Sequence, residues 1–410
     1  MPESSKKSLK VVELFAGVGG FSQAFKNSQG KFKTVYSNQW EPSASDSNQF
    51  AFKALQKNFP RLNASNIDIT VDKKNISNNF DLLVGGFPCQ DYSVAGTQTK
   101  GIHGKKGVLW WEISWILENK NPNFLFLENV DRLLKSPSNQ RGRDFAIMLK
   151  DLDEKGYNVE WMVINASDYG FVQRRRRVFI LGWKKKYLDE KESKDIWKNY
   201  SDGIFTKKFK IQNFGLEKMI NLNDYQDKVY MTNNYSQGKF LNYGRMINGE
   251  VVCADYVPKF TGKRMVLGDI LEKKVSDEFF LKDEEVEKVK VLKGSKRIQR
   301  VRPNGETYYY SEGKMEVIDY PNKPARTMLT SEGTLNRSTH YVLDKNSMGQ
   351  EKLRRITPLE AERINGFKDN WTAEVMNEKQ RYFCMGNALV VPLVRKIGFA
   401  FWKRISETEN

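Results

Sequence analysis

The sequence predicts an α/β fold, in which a doubly wound, mostly parallel sheet is accompanied by a second, smaller domain. Apolar runs of strand length alternate with helical patterns over residues 9–181, and this alternation is typical of a largely parallel sheet covered on both faces. A glycine-rich turn, Phe15 to Gly20, joins the first strand to the first helix. After Trp183, lysine clusters and short β-like runs replace the alternation, which indicates an irregular, β-rich domain. We expect a first domain at 1–183, a second at 184–352, and a returning C-terminal segment at 353–410.

The elements follow one another in a regular order. Leu9 to Leu14 is an apolar strand, and the helix after the glycine turn, Phe21 to Asn27, ends near Gly30 as helices commonly do. Further strands are predicted at Lys33 to Ser37, Asp81 to Gly86, Phe124 to Leu127, Asn158 to Ile164 and Arg177 to Leu181. Further helices are predicted at Val108 to Glu118, Phe145 to Leu152, Pro358 to Ile364 and Val390 to Phe401.

The charge of the chain is strongly positive. Lys and Arg number 67 against 50 acidic residues, a formal charge of +17, which favours a polyanionic partner because clustered cations release counterions from a phosphate backbone. A lysine-rich composition that only keeps the protein in solution is the alternative. No stretch approaches the roughly 20 apolar residues of a membrane span, and the polar segment Met1 to Lys7 lacks a secretory signal. We therefore expect a cytoplasmic protein without a membrane partner.

Cysteine and histidine are scarce. The three cysteines, Cys89, Cys253 and Cys384, are scattered and odd in number, which fits a reducing compartment and argues against a disulfide framework. Only His103 and His340 are available as imidazole ligands, and no zinc-binding spacing occurs. We expect no metal.

One cysteine occupies a position suited to a nucleophile. Residues Gly85 to Ser93 read GGFPCQDYS and follow an apolar run, Leu82 to Val84, so Cys89 would lie just beyond the carboxyl end of a buried strand. Open α/β sheets bind their ligands at that edge. The alternative is an inert buried thiol, because free cysteine is among the most buried residue types.

The glycine turn suggests a nucleotide site. Gln39, Trp40 and Glu41 follow the glycines by about 20 residues, where nucleotide-binding α/β folds place a side chain on the ribose. The glycines alone would also suit a nicotinamide dehydrogenase. That alternative explains neither Pro88-Cys89-Gln90 nor the positive charge.

Six segments in order resemble the motifs of the DNA (cytosine-5) methyltransferases that use S-adenosylmethionine. The sequence FAGVGG at Phe15 to Gly20 resembles the cofactor loop of that family, Pro88-Cys89-Gln90 its nucleophile motif, and Glu128-Asn129-Val130 its acidic motif. The remaining matches are QRRRR at 173–177, RITPLEAERINGF at 355–367 and GNALVVP at 386–392. The resemblance implies a Rossmann-like methyltransferase fold that spans nearly the whole chain outside the middle domain.

The resemblance implies a catalytic role for four residues. The Cys89 thiolate would add to C6 of cytosine and so activate C5, which is otherwise a poor nucleophile. Glu128 would donate a proton or hydrogen bond at N3, which asks for a carboxyl with a raised pKa. Arg177 would hold the cytosine O2, while Arg175 and Gln173 orient the pocket, and either arginine could stabilise the thiolate. Arg174 and Arg176 are expected to remain solvated and to touch only phosphate.

The resemblance also implies the cofactor contacts, with S-adenosylhomocysteine as the product. Trp40 would stack on adenine, and either Gln39 or Glu41 would hold the ribose, since many relatives carry an acid directly before the aromatic residue. The further expected contacts are Phe15, Gly17, Gly19, Gly20, Asp68, Ile69, Gly86, Pro88, Asn387, Ala388 and Leu389. Asn365 stands where relatives usually carry glutamine.

The expected substrate is double-stranded DNA with the target cytosine flipped out of the stack. Phe87, Gln90, Ser93, Gln173, Thr327 and Met328 are the expected substrate contacts. Asp91 to Gly107 has the composition of a mobile lid, and the middle domain resembles a target-recognition domain that reads the major groove.

The remaining expectations concern partners and alternative functions. We expect a monomer, and the resemblance allows a cognate restriction endonuclease in the same system. An RNA cytosine-5 methyltransferase is the nearest alternative, although the long middle domain favours DNA. A catalytically silent DNA-binding regulator is another, which the intact Cys89, Glu128 and glycine turn oppose.

Overall fold

A computed structural model of the chain describes residues 8–26, 28–41, 49–87, 109–187, 202–301 and 305–408. The described strands are β1 Leu9–Leu14, β2 Phe32–Asn38, β3 Ala64–Ser65, β4 Leu82–Gly86, β5 Phe124–Val130, β6 Tyr157–Asn165, β7 Arg176–Lys184, β8 Ile211–Asn221, β9 Tyr243–Ile247, β10 Glu250–Pro258, β11 Lys296–Val301, β12 Thr307–Glu312, β13 Tyr341–Lys345 and β14 Glu351–Arg355. The described α-helices are α1 Gly20–Lys26, α2 Phe50–Asn58, α3 Ile69–Asp72, α4 Leu109–Asn119, α5 Arg143–Glu154, α6 Ile204–Lys208, α7 Lys228–Asn234, α8 Asp283–Lys293, α9 Pro358–Ile364, α10 Glu378–Asn387 and α11 Val391–Thr408.

The chain forms two compact units. The first comprises Met1–Gly170, Arg176–Lys263 and Val391–Asn410, and the second Phe171–Arg175 and Arg264–Val390. The predicted boundaries lay elsewhere, after Trp183 and before residue 353. The first unit continues beyond Trp183 because β9 pairs with β6. The strands β10 and β8 then extend the same sheet.

The first unit is built on a 10-stranded sheet in the order β3-β2-β1-β4-β5-β7-β6-β9-β10-β8. The α/β class is confirmed, but the expectation of a mostly parallel sheet is wrong. The pairs among β3, β2, β1, β4 and β5 are parallel, whereas each later pair, from β5 with β7 onward, is antiparallel. The link from β6 to β7 contains no α-helix, only a short 3-10 turn, Ala166–Tyr169, and a parallel return would require a longer crossover.

The β9–β10 hairpin shows why residues after Trp183 rejoin the sheet. Its turn is Asn248-Gly249, and both residues have positive φ angles, 51° and 79°. Asn-Gly between apolar runs is a strong hairpin signal, so this element was readable from the sequence. Its pairing with β6 was not, since that contact is distant along the chain.

Aromatic side chains fill the core of the first unit beside β6. Phe145 of α5 meets Trp161 of β6 and Phe240 in edge-to-face contacts, with ring centroids 5.1 Å apart in each pair. Such pairs each contribute about 0.5–1.5 kcal/mol beyond area burial. This packing holds α5 against β6.

The C-terminal helix α11 packs against α1 in the first unit. Gly398 of α11 lies so close to Phe25 of α1 that an added Cβ would be 2.6 Å from the ring. Residues 378–408 are long and apolar enough to cross a membrane by length and composition. Half of that apolar window is nevertheless buried inside the protein, as is usual for core helices.

The second unit contains the two-stranded sheets β11–β12 and β13–β14. One small hydrophobic cluster of this unit consists of Leu281, Val289, Tyr341 and Leu353. Ion pairs reinforce it: the guanidinium of Arg354 donates to both carboxylate oxygens of Glu360, each at 2.8 Å. A bidentate pair with both partners buried holds β14 against α9.

Candidate active site

Four parallel strands end at one edge of the large sheet and bring predicted residues together there. In the strand register, Leu14 lies beside both Asn38 and Gly85, and Gly86 lies beside Glu128. Because the carboxyl ends of parallel strands share an edge, the glycine turn, Gln39 to Glu41, Phe87 and Glu128 are neighbours in space.

The glycine turn adopts the backbone conformation that its residues predict. Phe15, Gly17 and Gly19 have positive φ angles of 53°, 55° and 86°. A Cβ on Gly19 would lie 2.9 Å from Leu55 and Phe59, whereas a Cβ on Gly17 would have no atom within 4 Å from any described residue other than its two chain neighbours. A backbone that is left-handed and uncovered at Gly17 fits the close approach of a ligand. A non-glycine residue at positive φ, as at Phe15, is typical of binding loops.

Gln39 is tied to the glycine turn. Its side-chain Oε1 accepts a hydrogen bond from the Gly17 N–H at 2.7 Å. Its own backbone is held on the other side, where the amide of Asn66 donates to the Gln39 carbonyl at 2.6 Å. These two bonds fix the buried Gln39 side chain against the glycine turn.

Trp40 and Glu41 are half-buried beside Gln39. The side chain of Gln49 bridges the Glu41 backbone, accepting from its N–H at 3.0 Å and donating to its carbonyl at 2.9 Å. Partial burial raises the pKa of the Glu41 carboxyl. The structure thus orders both ribose candidates, Gln39 and Glu41, at the same turn.

Glu13 supports the glycine turn from beneath and was missed by the sequence analysis. Its carboxylate accepts from the backbone N–H groups of Phe21 and Ser22, at 3.0 and 3.1 Å, and from the Ser37 hydroxyl at 3.1 Å. Complete burial raises its pKa to about 7, although these hydrogen bonds oppose the shift. The only sequence signal was an acidic residue within the apolar strand VVEL.

Asp68 and Ile69 lie at the start of α3. The Asp68 carboxylate caps the helix by accepting from the Thr70 N–H at 2.9 Å, and the side chain is half-buried. The Ile69 side chain is buried in the core. Only Asp68 of this pair is therefore exposed enough to meet a ligand with its side chain.

Glu128 and Arg177 form an ion pair at the carboxyl edge. The Arg177 Nε and the Glu128 Oε1 are 3.1 Å apart, and the side chains are 18% and 14% exposed. A Cβ on Gly86 would lie 3.2 Å from the other carboxylate oxygen of Glu128. The predicted proton donor, the predicted O2 ligand and the end of the nucleophile strand therefore meet.

Asn129 links this site to the segment that precedes Cys89; the sequence analysis placed Asn129 in the acidic motif but assigned it no role. Its buried side-chain amide donates to the Phe87 carbonyl at 2.8 Å. The Phe87 ring is buried and packs near Trp110, with centroids 6.0 Å apart. The Phe87 side chain is thus a core residue, and Asn129 fixes the backbone two residues before Cys89.

The predicted residues Gln173 and Arg175 are buried in the second unit. The Arg175 guanidinium donates to the carbonyls of Met328, at 3.2 Å, and Gly386, at 3.1 Å. The Gln173 amide donates to Asn365 Oδ1 at 3.1 Å. Both side chains tie separate backbone segments together, which positions the chain around them.

The other predicted residues of the second unit differ in exposure. Met328 is buried, and the Thr327 hydroxyl donates to the Arg174 carbonyl. Asn387 is exposed at the end of α10, and Ala388 and Leu389 are half-buried. Their roles toward cofactor and substrate stay predictions.

Arg176 differs from its expected role. Its guanidinium pairs with Asp131 at 3.0 Å and donates to Asn242 at 2.6 Å. Asp131 follows β5 directly, so this ion pair links the start of β7 to the residue after β5. The Arg176 side chain is exposed, as expected, but these two protein contacts contradict the expectation that it touches only phosphate.

The predicted nucleophile, Cys89, lies outside the described residues, together with Pro88, Gln90, Ser93 and the expected lid, 91–107. Both other cysteines are described and buried. Burial raises the pKa of the Cys253 thiol to about 11, which disfavours the thiolate that nucleophilic chemistry needs.

Comparisons with known proteins agree with this geometry. Residues 9–403 match the family model of C-5 cytosine-specific DNA methylases. The Type II methyltransferase M.Sau3AI of Staphylococcus aureus is 50% identical over 95% of this chain and 94% of its own length. M1.ScrFI of Lactococcus lactis subsp. cremoris, also named a Type II methyltransferase, is 28% identical over 95% of this chain and 76% of its own.

Solved structures resemble the fold at low sequence identity. A crystal structure of Spodoptera frugiperda DNMT2 has a TM-score of 0.59 at 16% identity and covers 96% of this chain and 99% of that one. A putative DNA modification methyltransferase from an E. coli prophage has a TM-score of 0.53 at 18% identity and covers 97% and 99%.

Proposed function

The chain belongs to the C-5 cytosine-specific DNA methylases and is a DNA (cytosine-5) methyltransferase, and from this premise we propose its mechanism. It transfers the methyl group of S-adenosylmethionine to C5 of a cytosine flipped out of a short duplex sequence, through a transient bond between Cys89 and C6. The observation that carries the proposal is the meeting of Gly86, Glu128 and Arg177 at the edge where the chain continues to Cys89.

The residues at the glycine turn fit the cofactor. S-adenosylmethionine, when bound, supplies an electrophilic methyl group. The uncovered backbone of Gly17 accommodates its methionine part beside Phe15, and Gly19 and Gly20 keep the turn tight. Trp40 offers a half-buried ring for adenine, Asp68 a carboxylate, and Gln39 or Glu41 a hydrogen bond to the ribose. Asn387, Ala388 and Leu389 complete the proposed contacts.

Cys89 is the nucleophile of this proposal. The Asn129 amide holds the Phe87 carbonyl and so fixes the segment that leads to the thiol. Of the other cysteines, Cys253 is buried with its thiol pKa raised to about 11, and Cys384 is buried in α10. Attack at C6 by the Cys89 thiolate shifts the electrons of the C5=C6 bond toward C5 and makes C5 an enamine-like carbon that can take up the methyl group. C5 then carries both the methyl group and its proton; loss of that proton returns the electron pair to the C5=C6 bond and expels the Cys89 thiolate.

Glu128 and Arg177 recognise the flipped base. Their ion pair keeps each side chain extended toward the other, and an entering cytosine offers both a partner: N3 for the carboxyl of Glu128 and O2 for the guanidinium of Arg177. Protonation or hydrogen bonding at N3 stabilises the negative charge that develops when the thiolate adds at C6. Separation of the two side chains on base entry is therefore part of the mechanism.

We propose that the second unit acts as the target-recognition domain and that Thr327 and Met328 adjoin the flipped base. The names of the relatives point to a type II modification enzyme with a cognate endonuclease. We further propose a monomer that acts in the bacterial cytoplasm. The family match favours DNA over the RNA alternative.

Bisulfite sequencing of host DNA tests this function. Expression in a host without cytosine-5 methylation should protect one short recurring sequence from conversion. The variant Cys89→Ala should abolish protection and retain S-adenosylhomocysteine binding, whereas Cys253→Ala, which removes a buried thiol, should retain protection. Unprotected DNA with the wild-type chain, or protection with Cys89→Ala, would overturn the proposal.

A further inference from the structure

The two-stranded sheet β11–β12, hereafter the ribbon, is exposed on both faces. Every residue of Lys296–Val301 and Thr307–Glu312 is exposed or half-buried. The strands pair with each other in a regular antiparallel register, from Lys296 beside Glu312 to Val301 beside Thr307. An isolated two-stranded sheet is marginally stable in water, so a sheet that buries neither face needs another reason to exist.

Each face of the ribbon carries one arginine held by a tyrosine. Arg297 lies over the Tyr309 ring at 4.3 Å, and Arg300 lies over the Tyr310 ring at 4.2 Å. Alternate residues of a strand point to opposite faces, so the odd-numbered pair, Arg297 and Tyr309, and the even-numbered pair lie on different faces. Stacking orders a guanidinium without using its hydrogen-bond donors.

Arg337 anchors the ribbon at one end. Its guanidinium donates to the carbonyls of Leu292, at 3.1 Å, and Gly294, at 2.6 Å, and pairs with the Glu312 carboxylate at 3.3 Å. The contacts all fall where β11 begins and β12 ends. The other end, near Val301 and Thr307, extends away from this anchor.

The ribbon is positively charged. Lys296, Arg297 and Arg300 lie on β11, and the acid opposite, Glu312, is already neutralised by Arg337. Exposed apolar groups lie between them, since Ile298 and Tyr309 are 44% and 56% exposed. Cations with interleaved apolar and aromatic groups are complementary to phosphates and base edges together.

The other small sheet of the second unit shows the contrast. In β13–β14, Tyr341 and Leu353 on one face and Val342 on the other are buried, so both faces contain buried residues. Its exposed end pairs opposite charges, with Asp344 beside Lys352 and Lys345 beside Glu351. The β13–β14 sheet thus stabilises its unit, whereas the ribbon offers charge and two faces to a partner.

We propose that the ribbon enters the major groove of duplex DNA. Arg297, on one face of the ribbon, and Arg300, on the other, then each contact a phosphate wall of the groove. The B-DNA major groove is about 12 Å wide and admits a two-stranded β-ribbon between its phosphate walls. An element enclosed by the groove on both sides explains why each face carries a stacked arginine and has no fully buried residue. This inference rests on the proposed function, since DNA is the substrate.

Two double variants test the proposal. Arg297→Ala with Arg300→Ala removes two charges from the ribbon, and Lys345→Ala with Lys352→Ala removes two from the β13–β14 sheet. Fluorescence anisotropy would measure binding of a labelled duplex that the wild type methylates. Loss of two phosphate contacts lowers the slope of log affinity against log salt by about 1.8. For the ribbon variant we expect this change and a loss of affinity of about tenfold or more, with S-adenosylhomocysteine binding unchanged.

Hydrogen exchange provides a second measurement that requires no variant. Amides of 296–301 and 307–312 should exchange more slowly when the duplex is added, and amides of 341–345 should not. Three results would overturn the ribbon proposal alone. They are equal DNA affinity in the two double variants, no protection of the ribbon amides by DNA, and protection of these amides by an unrelated protein but not by DNA. A wild-type chain that neither binds nor methylates any duplex would overturn the proposed function as well.

Discussion

The open space beside Gly17 predicts that an added methyl group blocks cofactor binding. The variant Gly17→Ala places a Cβ at a φ of +55°, where, in the part of the chain that the structure describes, only the two neighbouring residues in sequence have atoms within 4 Å. Gly30→Ala is a matched control, since Gly30 has a φ of +79° and equally open surroundings. Gly30 precedes β2, at the opposite end of the strand from Gln39. The two variants therefore introduce similar backbone strain, and only one lies at the proposed site.

The expected magnitudes separate strain from occlusion. An alanine in the left-handed region costs about 1–2 kcal/mol, which lowers the melting temperature of either variant by a few degrees. Overfilling a packed contact with one methyl costs about 1–3 kcal/mol, and at Gly17 this cost falls on the bound cofactor. We expect Gly17→Ala to weaken S-adenosylhomocysteine binding by about tenfold to a hundredfold.

Calorimetric titration with S-adenosylhomocysteine, together with thermal unfolding, makes the comparison. Similar melting shifts with weakened binding only in Gly17→Ala agree with the reasoning. If the two variants bind the cofactor product equally, the space beside Gly17 is not the cofactor site.

Three further predictions concern buried or catalytic side chains. Asn129→Asp removes the donor to the Phe87 carbonyl and should lower kcat about tenfold or more without weakening S-adenosylhomocysteine binding, while Asn119→Asp, which loses an exposed bond to a backbone carbonyl, should leave kcat unchanged. Glu128→Gln should reduce the single-turnover methylation rate by about a hundredfold or more, and an effect on KM alone would contradict its role. Glu13 has a pKa of 4.5 unfolded and about 7 folded, so its contribution to stability is complete below pH 4.5 and is lost as the pH rises to about 7. The free energy of unfolding in urea should therefore fall by about 3 kcal/mol across that range in the wild type, and Glu13→Gln should remove this fall. An unchanged pH profile in the variant would refute the reasoning.

Local patterns predicted elements near both ends of the chain well. The predicted strand Leu9 to Leu14 is β1 without change, and the helix predicted at Pro358 to Ile364 is α9. Periodicity is a local property and survives folding. The direction of β7 depended instead on the link from β6, and the residues after Trp183 depended on a pairing between β9 and β6.

The site was predictable where its motifs follow strands and not where it depends on buried partners. The glycine turn, Gln39 to Glu41 and Glu128 follow or end parallel strands, so strand order alone brings them together. Glu13 and Asn129 act through hydrogen bonds to backbone groups whose positions only the folded chain defines. Arg176 was misassigned for the same reason, because Asp131 approaches it only when β5 and β7 pair.

A covalent trap tests the central claim most directly. A duplex that carries 5-fluorocytosine at the methylated position lacks the C5 proton whose loss releases the enzyme. Incubation with the wild-type chain and S-adenosylmethionine should give a denaturation-resistant protein–DNA adduct, and mass spectrometry should locate the attached base on Cys89. The absence of an adduct on a duplex whose unfluorinated form is methylated, or an adduct on another residue, would contradict the mechanism.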